Sequence, residues 1–206
     1  MRHLMRYALT GVLVGLWQIS ICQGAAAQYP NIADYPPEFS AEVITSFSNG
    51  SPTSIIKVYK KGDNIRVETI SDRNPQIFIA SKEANKTWTI FPDEKMYNEI
   101  QWSPNTIEAS LDPSLTSTHN LTYVKVGTEI LAGHLCDKYE MTYILNNQPR
   151  TYGTSWIDQK TNLPVKIVTT DYTTEVTTEM KNVIIGSQDS KLFILPSGLH
   201  KIWAGP

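Results

Sequence analysis

Apolar and polar residues alternate with a period of two along most of the chain after residue 38. Residues 39–47 and 135–145 show the alternation most clearly, and Val, Ile, Thr, Tyr and Phe are prominent in these stretches. A period of two places successive side chains on opposite faces of a β-strand, and β-branched and aromatic residues suit a half-buried pleated surface. The pattern therefore predicts a mostly β chain with about nine or ten strands.

Short turns separate the predicted strands. Residues 61–64 (Lys-Gly-Asp-Asn), 92–95 (Pro-Asp-Glu-Lys) and 146–149 (Asn-Asn-Gln-Pro) each divide two β-rich runs. Gly, Asp and Asn adopt the backbone conformations that tight hairpin turns require. A long antiparallel meander must curl or close, because its free edges would otherwise pair with other chains. We therefore expect a single curved antiparallel sheet that forms a half-open, unclosed β-barrel.

Signals for helices are few. Ser103 and Pro104 resemble an N-cap followed by proline at the first helical position, and one short apolar stripe follows before Pro113. Residues 189–193 are long enough for one further turn. The predicted fold thus contains one or two short helices beside the sheet.

The N-terminus has the pattern of a secretory signal peptide. Arg2 and Arg6 precede an almost wholly apolar run over residues 7–21, and the small residues 24–27 follow it. A basic start, a short apolar run and an A-x-A site are the three parts of such a signal. The apolar run is shorter than the roughly 20 residues that span a bilayer. We therefore expect cleavage after Ala27 and no transmembrane segment in the mature chain.

This N-terminus defines the expected organisation of the chain. It comprises a signal peptide over 1–27, a flexible lead-in over 28–37 and a single β domain over 38–206. The mature protein would be secreted across the inner membrane and remain in the periplasm. Cys22 leaves an alternative open, in which the protein is a lipoprotein anchored through that cysteine. Ile21 disfavours the alternative, because acylation sites usually carry a small residue before the cysteine.

The charge and the cysteine content of the mature chain exclude several kinds of partner and an internal disulfide. The mature chain would carry 16 basic and 20 acidic residues, a formal net charge of −4, with the two signs interspersed. This distribution argues against nucleic acid as a partner and offers no basic patch for anionic membrane surfaces. Cys136 would be the single cysteine of the mature chain, which excludes an intramolecular disulfide. We expect it to be a small buried residue rather than a reactive thiol.

Motifs for catalysis or metal binding do not appear in the sequence. His119, His134 and His200 are scattered, and there is no H-E-x-x-H pair, no G-x-S-x-G turn and no glycine-rich phosphate loop. Acidic residues such as Glu175 and Glu179 alternate with apolar ones, which is typical of a solvated strand face. We therefore expect no enzyme activity, no cofactor and no metal site.

Five segments carry short motifs whose order and spacing recur together in one group of proteins. They are 60–68, a hairpin with a strand arginine; 77–80 with 86–93, ending in Trp-Thr-Ile-Phe-Pro-Asp, which is similar to a W-x-Y/F-x-P-D step; 133–139, G-x-x-C-x-x-Y; 156–167, W-x-D-x-x-T-x-L-P-x-K; and 189–197, D-x-x-L-F-x-x-P. The chain in this way resembles the LolA/LolB-like periplasmic proteins, and most closely their uncharacterised DUF4412-type branch.

The resemblance implies an unclosed β-barrel with helices against its open side and an apolar cavity within. Aromatic walls with few polar groups would suit acyl chains, although the same aromatic residues would equally fill an ordinary core. Arg66 alternates with apolar neighbours, so it would bond carbonyls of a covering segment, bond a ligand head group, or lie in solvent. The candidate ligand-binding residues are Arg66, Trp88, Ile90, Tyr143 and Trp156.

Two functions follow as expectations. The first is a periplasmic binding protein for an apolar ligand, such as a lipid, an acyl chain or a lipoprotein moiety, within the half-barrel cavity. The alternative is a non-catalytic structural or interaction module of the cell envelope, an assembly or stress-sensing accessory with a filled core. The partner would be a lipid or acylated ligand in the first case and an envelope protein in the second, bound at an apolar patch or a strand edge.

Overall fold

The computed structural model describes residues 29, 34–70, 74–103, 121–171 and 173–202. The predicted signal peptide, Cys22 and the helix predicted after Ser103 lie outside the described residues. Within the part of the chain that is described, no helix is long and apolar enough to cross a membrane.

The described residues contain twelve β-strands in one sheet. They are β1 (Glu38–Phe47), β2 (Ser54–Lys61), β3 (Asn64–Thr69), β4 (Ile77–Ser81), β5 (Lys86–Phe91), β6 (Met96–Gln101), β7 (Thr122–Leu131), β8 (His134–Leu145), β9 (Gln148–Asp158), β10 (Pro164–Asp171), β11 (Thr174–Ile185) and β12 (His200–Lys201). The count exceeds the nine or ten predicted from alternation, in part because β12 is two residues long and too short to show a period.

The strand order is β12-β6-β5-β4-β3-β2-β1-β11-β10-β9-β8-β7. Neighbouring strands are antiparallel except β12, which runs parallel to β6. The sheet is curved and is not closed into a barrel, which confirms the predicted fold class. A 3₁₀ turn, Ser190–Phe193, lies within the 189–193 stretch predicted for one turn.

The tight turns depend on residues that tolerate left-handed backbone. Gly62, between β2 and β3, has a φ of 56°, and Asn146 and Asn147, between β8 and β9, have φ values of 52° and 58°. Two consecutive positive φ values are typical of the type I′ turn that joins two-residue hairpins, and asparagine is among the side chains that adopt it at low cost. The turn residues therefore set the register of these hairpins.

The register of β3, β4 and β5 separates two hydrophobic clusters on opposite faces of the sheet. Val67 lies opposite Phe78 on one face, which we call the Phe39 face. Its buried cluster comprises Tyr35, Phe39, Ala41, Val58, Ile65, Ala80, Leu163 and Met180. On the other, the Trp88 face, the buried cluster comprises Ile79, Trp88, Ile90 and Phe193. Because this half of the sheet is covered on both faces, burial in β3 to β5 is almost continuous rather than alternating.

The C-terminal segment, residues 190–202, covers the Trp88 face. Phe193 packs among the buried residues of that face, while Leu192, Leu195 and Leu199 pack around them. Backbone bonds from His200 N to the Lys95 carbonyl oxygen and from Ile202 N to the Tyr97 carbonyl oxygen, each 2.8 Å, fix the end of the segment beside β6. The last strand of the chain therefore joins the sheet at its β6 edge.

Candidate functional site: a cleft at one end of the sheet

A partly open cleft of about 1060 Å³ lies at the end of the sheet where β7 turns into β8 and β9 turns into β10. Three stretches that line it are the approach to β1 (34–37), the start of β8 (133–135) and the turn between β9 and β10 (158–165). The end of β11 forms the fourth wall. Small-molecule pockets usually span roughly 300–1,000 Å³, so the cleft is large enough for a sizeable organic ligand.

The β11 wall is apolar because of one irregularity in the strand. Met180, Val183 and Ile185 all line the cleft, although strict alternation would put Met180 on the face opposite the other two. The pairing of β1 with β11 shifts between these positions, and Asn182 has a φ of 51° there. Its Nδ2 donates to Glu42 Oε2 at 2.6 Å. A β-bulge of this kind re-aims the following side chains, so Val183 and Ile185 join Met180 on the Phe39 face.

The turn between β9 and β10 is organised by Asp158. Its Oδ2 accepts a hydrogen bond from Thr161 Oγ1 at 2.6 Å, and its Oδ1 accepts one from Lys160 N at 3.4 Å. The backbone closes the turn with bonds from Asp158 N to the Leu163 carbonyl oxygen and from Asn162 N to the Asp158 carbonyl oxygen. Leu163 then reaches the core of the Phe39 face. The D-x-x-T-x-L spacing therefore encodes a turn that forms one wall of the cleft.

Residues 34–37 form the wall nearest β1, and three hydrogen bonds hold them against the sheet. The Asp34 carbonyl oxygen accepts from Asn162 Nδ2 at 3.2 Å, the Pro36 carbonyl oxygen from Lys60 Nζ at 3.3 Å, and the Pro37 carbonyl oxygen from Gly62 N at 2.8 Å. Tyr35 is buried in the cluster of the Phe39 face. The boundary between the lead-in over 28–37 and the domain over 38–206 stays a prediction.

Polar groups gather where β8 begins. His134 Nδ1 lies 3.7 Å from Asp158 Oδ2, with the imidazole half exposed and the carboxylate buried. Cys136 is fully buried, and its Sγ donates to the His134 carbonyl oxygen at 3.5 Å. Burial, and after it the Asp158 carboxylate, raise the pKa of the Cys136 thiol above its ordinary value. The thiol therefore stays protonated at neutral pH, in a form that is a poor nucleophile.

The described residues contain no group of His, Cys, Asp and Glu arranged to hold a metal ion. The Asp158 carboxylate already serves the turn, and the Cys136 sulfur is shielded from the cleft. The cleft is lined on one side by apolar residues of β8 and β11 and on the other by polar residues, among them Asp34, His134, Gln159, Lys160 and Asn162. A lining of this mixed kind is suited to a ligand with an apolar body and a polar group.

Three of the predicted site residues lie together on the Trp88 face, away from the cleft. Arg66 lies opposite Ile79, which in turn lies opposite Trp88, and Ile90 is two residues along the same strand. Trp88 and Ile90 are buried beneath Phe193. The C-terminal segment covers this group, so the structure places it in a packed interior.

The other two predicted site residues lie elsewhere. Trp156 is in β9, seven strand positions from β5, with Lys138 Nζ 5.1 Å and Lys166 Nζ 5.8 Å from its ring centroid. Its Nε1 donates to Glu129 Oε2 at 3.0 Å. Tyr143, near the tip of the β8–β9 hairpin, contacts Tyr152 edge to face, with ring centroids 6.4 Å apart. The five do not form one site, and none of them lines the cleft; their ligand-binding role stays a prediction.

Sequence comparison relates the chain to one family. The model of that family, described as a domain of unknown function (DUF4412), matches residues 43–156, more than half of the chain. No curated protein matches the chain in sequence.

Three solved structures are similar to this one. An uncharacterised conserved protein from Thermus thermophilus has a TM-score of 0.58 at 10% identity, over 82% of this chain and 92% of its own. A LolA superfamily protein from Nitrosomonas europaea has a TM-score of 0.40 at 14% identity, over 78% and 91%. MucB, in the Pseudomonas aeruginosa MucA/MucB complex, has a TM-score of 0.48 at 16% identity, over 80% and 58%. The first of these shows that the same fold occurs in the protein from Thermus thermophilus.

Proposed function

Given that the chain belongs to the DUF4412 family, as its motifs predict, we propose that it is a non-catalytic binding protein whose ligand carries an apolar chain, such as a lipid or an acyl group. The cleft is the proposed binding site. One observation carries the proposal: Leu135, Val183 and Ile185 line the cleft and yet remain exposed to water. Large apolar side chains grouped on a concave wall gain free energy when a ligand covers them.

The polar part of the lining supports a ligand with two chemical parts. An apolar chain would lie against Met180, Val183 and Ile185, and each methylene group withdrawn from water would contribute about 0.8 kcal/mol. His134 and Asn162 also line the cleft, and they would donate hydrogen bonds to a polar head group. The protonated, buried thiol and the turn-bound carboxylate favour binding over a reaction at this place.

The proposed location is the periplasm. Its support is the N-terminal pattern of Arg2, Arg6, an apolar run and a small-residue site, which is typical of exported proteins. A lipid in such a compartment is exposed to water and requires an apolar carrier, which agrees with the chemistry of the cleft.

Native mass spectrometry tests the proposal. The protein, exported through its own N-terminal segment and purified without detergent, is measured as isolated and after addition of palmitate or a diacylated lipopeptide. We expect a bound mass that denaturation releases, and we expect Val183→Lys to lower occupancy roughly tenfold or more, because the lysine places a charge against the apolar chain. Ile184→Lys is the matched control: Ile184 is adjacent, 64% exposed, and does not line the cleft.

The two variants separate binding from folding. If both lose ligand equally, or if the wild-type protein carries no ligand and ignores both probes, the cleft is not a binding site for apolar chains. Equal thermal midpoints for the two variants show that a difference in occupancy comes from the site.

A strand edge favours a second candidate, an interaction module of the envelope. β7 ends the sheet, and within the described residues no strand pairs with its outer side. Val124, Val126 and Ile130 are exposed along it. A free edge with β-branched residues suits a partner that adds a strand. Cross-linking through a cysteine placed at Thr128, in the exported protein inside cells, would capture such a partner; cross-linking only to copies of itself would argue against this role.

A further inference from the structure

Two cationic side chains, Lys60 and Arg66, are buried in the described part of the chain. Arg66 Nε lies 2.6 Å from the Glu68 carboxylate, which balances its charge. Lys60 is 7% exposed, and among the described residues its ammonium donates one hydrogen bond, to the Pro36 carbonyl oxygen at 3.3 Å. A carbonyl group satisfies one of the three N–H donors of an ammonium and supplies no full negative charge. Lys60 is therefore a buried cation without an ion-pair partner in the described structure.

The surroundings of Lys60 disfavour its charge. Burial lowers the pKa of the ammonium below its ordinary value, and the nearby Asp63 carboxylate raises it by less. Asp63 is itself paired with Lys82, at 2.6 Å. An ammonium that is withdrawn from water without a close counter-ion destabilises the fold. A bound anion would remove this cost, so a buried and unpaired cation beside a cleft is a candidate for ligand recognition.

Lys60 lies behind the wall of the cleft that residues 34–37 form. Pro36, which accepts its hydrogen bond, lines the cleft. The residues opposite Lys60 on the two neighbouring strands are Phe39 and Ile65, and both belong to the buried cluster of the Phe39 face. Tyr35 belongs to that cluster and also lines the cleft. The ammonium is therefore on the same side of the sheet as the cleft, one hydrogen bond away from a wall residue.

Further polar atoms of the Phe39 face have no partner. Ile65 lies opposite Ala80, and Ala80 lies opposite Thr87, so Thr87 is in the same cross-strand row as Lys60. Oγ1 of the buried Thr87, and Nε1 of Trp102, which packs against the cluster, lack a hydrogen-bond partner in the described structure. An ammonium and an indole N–H can only donate. The interior of this face is therefore short of hydrogen-bond acceptors.

We propose that the ligand of the cleft is an amphipathic acid, and that its carboxylate or phosphate group is bound on the Lys60 side of the cleft. This inference rests on the proposed function, because it names the charge of the head group of that ligand. An anionic group supplies both the negative charge that Lys60 lacks and the acceptor oxygens that the face lacks. Asp34 and Asp158 line the cleft against one lysine, Lys160, so the cleft would disfavour an anion without Lys60.

A competition between ligands that share one alkyl chain length tests the inference. The exported protein is incubated with equal amounts of hexadecanol and either palmitate or hexadecyl phosphate. It is then separated from unbound ligand and denatured, and the released ligands are quantified. We expect one or both acids to be bound in roughly tenfold excess over the alcohol. The excess should persist at high salt, because salt screens a buried charge little. In Lys60→Met the excess should disappear while hexadecanol remains bound.

Lys57→Met is the matched control. It makes the same change in the same strand, three residues away, and its side chain points to the opposite face from Lys60. It should keep the preference for the acids. Lys60→Met should have a thermal midpoint at least as high as that of the wild type, because it removes an unpaired buried charge. A loss of preference in this variant then comes from recognition and not from unfolding.

The outcomes separate this inference from the proposed function. Equal uptake of acid and alcohol by the wild type would overturn the inference and leave the proposed function in place. A preference that disappears at high salt, or in Lys160→Met but not in Lys60→Met, would overturn it as well, because an exposed charge would then recognise the head group. Uptake of none of the three ligands would contradict the proposed function, and the inference with it.

Discussion

Arg66 in β3 donates a hydrogen bond through Nη1 to the carbonyl oxygen of Leu192 at 3.1 Å, and so ties two parts of the chain that are 126 residues apart. Its Nε donates to Glu68 Oε1 at 2.6 Å, which holds the guanidinium in place. The Leu192 carbonyl is presented by the 3₁₀ turn, whose N-cap, Asp189, accepts from Lys191 N at 2.9 Å. The arrangement sets Phe193 over the Trp88 face.

Arg66→Ala should loosen the C-terminal segment. The substitution leaves the Leu192 carbonyl and the Glu68 carboxylate without this partner in a largely buried place, at a cost of about 2–4 kcal/mol in the free energy of unfolding. Urea unfolding measures that cost. The substitution should also accelerate amide hydrogen exchange in residues 190–202, while exchange in β8 and β9 should change little.

Arg150→Ala is the matched control, because Arg150 is exposed near the tip of the β8–β9 hairpin. It should change the free energy of unfolding by no more than about 0.5 kcal/mol. A comparable loss in both variants would show that Arg66 contributes no more to stability than a surface arginine.

Most of the sheet could be predicted from the sequence, and its ends could not. Alternation in 39–47 and 135–145 locates strands, and turn residues such as Gly62 and Asn146 locate their ends, because both signals are local. The D-x-x-L-F spacing at 189–193 indicates a turn, and the turn is there. That it packs on β3 to β5 depends on contacts between residues more than a hundred positions apart, which no local pattern contains.

The cleft could not be predicted from the sequence either, because it too depends on contacts between distant parts of the chain. Its walls come from four separate stretches, and Asn182 shifts the alternation of β11 so that Val183 and Ile185 face it. Period-two reasoning carried through β11 would assign these two residues to the opposite face from Met180. An asparagine inside a strand of β-branched residues is the one signal of a bulge that the sequence offers. Trp88 and Ile90 lie on the opposite face of the sheet from Met180, Val183 and Ile185, so the sheet separates them from the cleft.

Glu99 should make the stability of the β6 edge depend on acid pH. Hydrogen bonds from Lys86, Lys201 and Trp88 lower the pKa of its carboxyl from 4.5 to about 2. A carboxylate whose pKa is lower in the folded state stabilises the fold fully above its unfolded value. That contribution is lost as the pH falls from about 4.5 towards about 2.

Thermal midpoints measured between pH 6 and pH 2 check this. The wild type should lose stability over the acid range more steeply than Glu99→Gln, in which the titrating group is absent. Parallel curves for the two proteins would mean that Glu99 titrates alike in the folded and unfolded states.

Gly153→Ala should destabilise the pairing of β9 with β10. A Cβ atom at this position would clash with the Val168 carbonyl oxygen and would lie 2.9 Å from Thr169 Cα. Both neighbours are backbone atoms of a paired strand, so the sheet itself must shift. We expect a loss of roughly 3 kcal/mol in the free energy of unfolding, measured as a lower urea midpoint.

Gly127→Ala serves as the control, because a Cβ atom there would meet nothing within 4 Å. Its effect should stay within about 0.5 kcal/mol of the wild type. If Gly153→Ala lowered the free energy of unfolding no more than Gly127→Ala, β10 would not approach β9 as closely at Gly153 as the structure shows.

Cys136 should resist thiol reagents in the folded protein. Its side chain is fully buried, and burial together with the Asp158 carboxylate raises the pKa of the thiol. Both effects slow the labelling reaction, because the reagent cannot reach the sulfur and little of the thiol is in the reactive thiolate form. Labelling with iodoacetamide should be on the order of a hundredfold slower in buffer than in urea, since labelling of the folded protein requires local opening.

The C136A/L135C variant is the control. It moves the thiol one residue, to a half-exposed position on the cleft wall, and it should label rapidly without urea. Fast labelling of native Cys136 would instead place its thiol within reach of the cleft, and the reasoning that makes the cleft a binding site rather than a reactive one would fail.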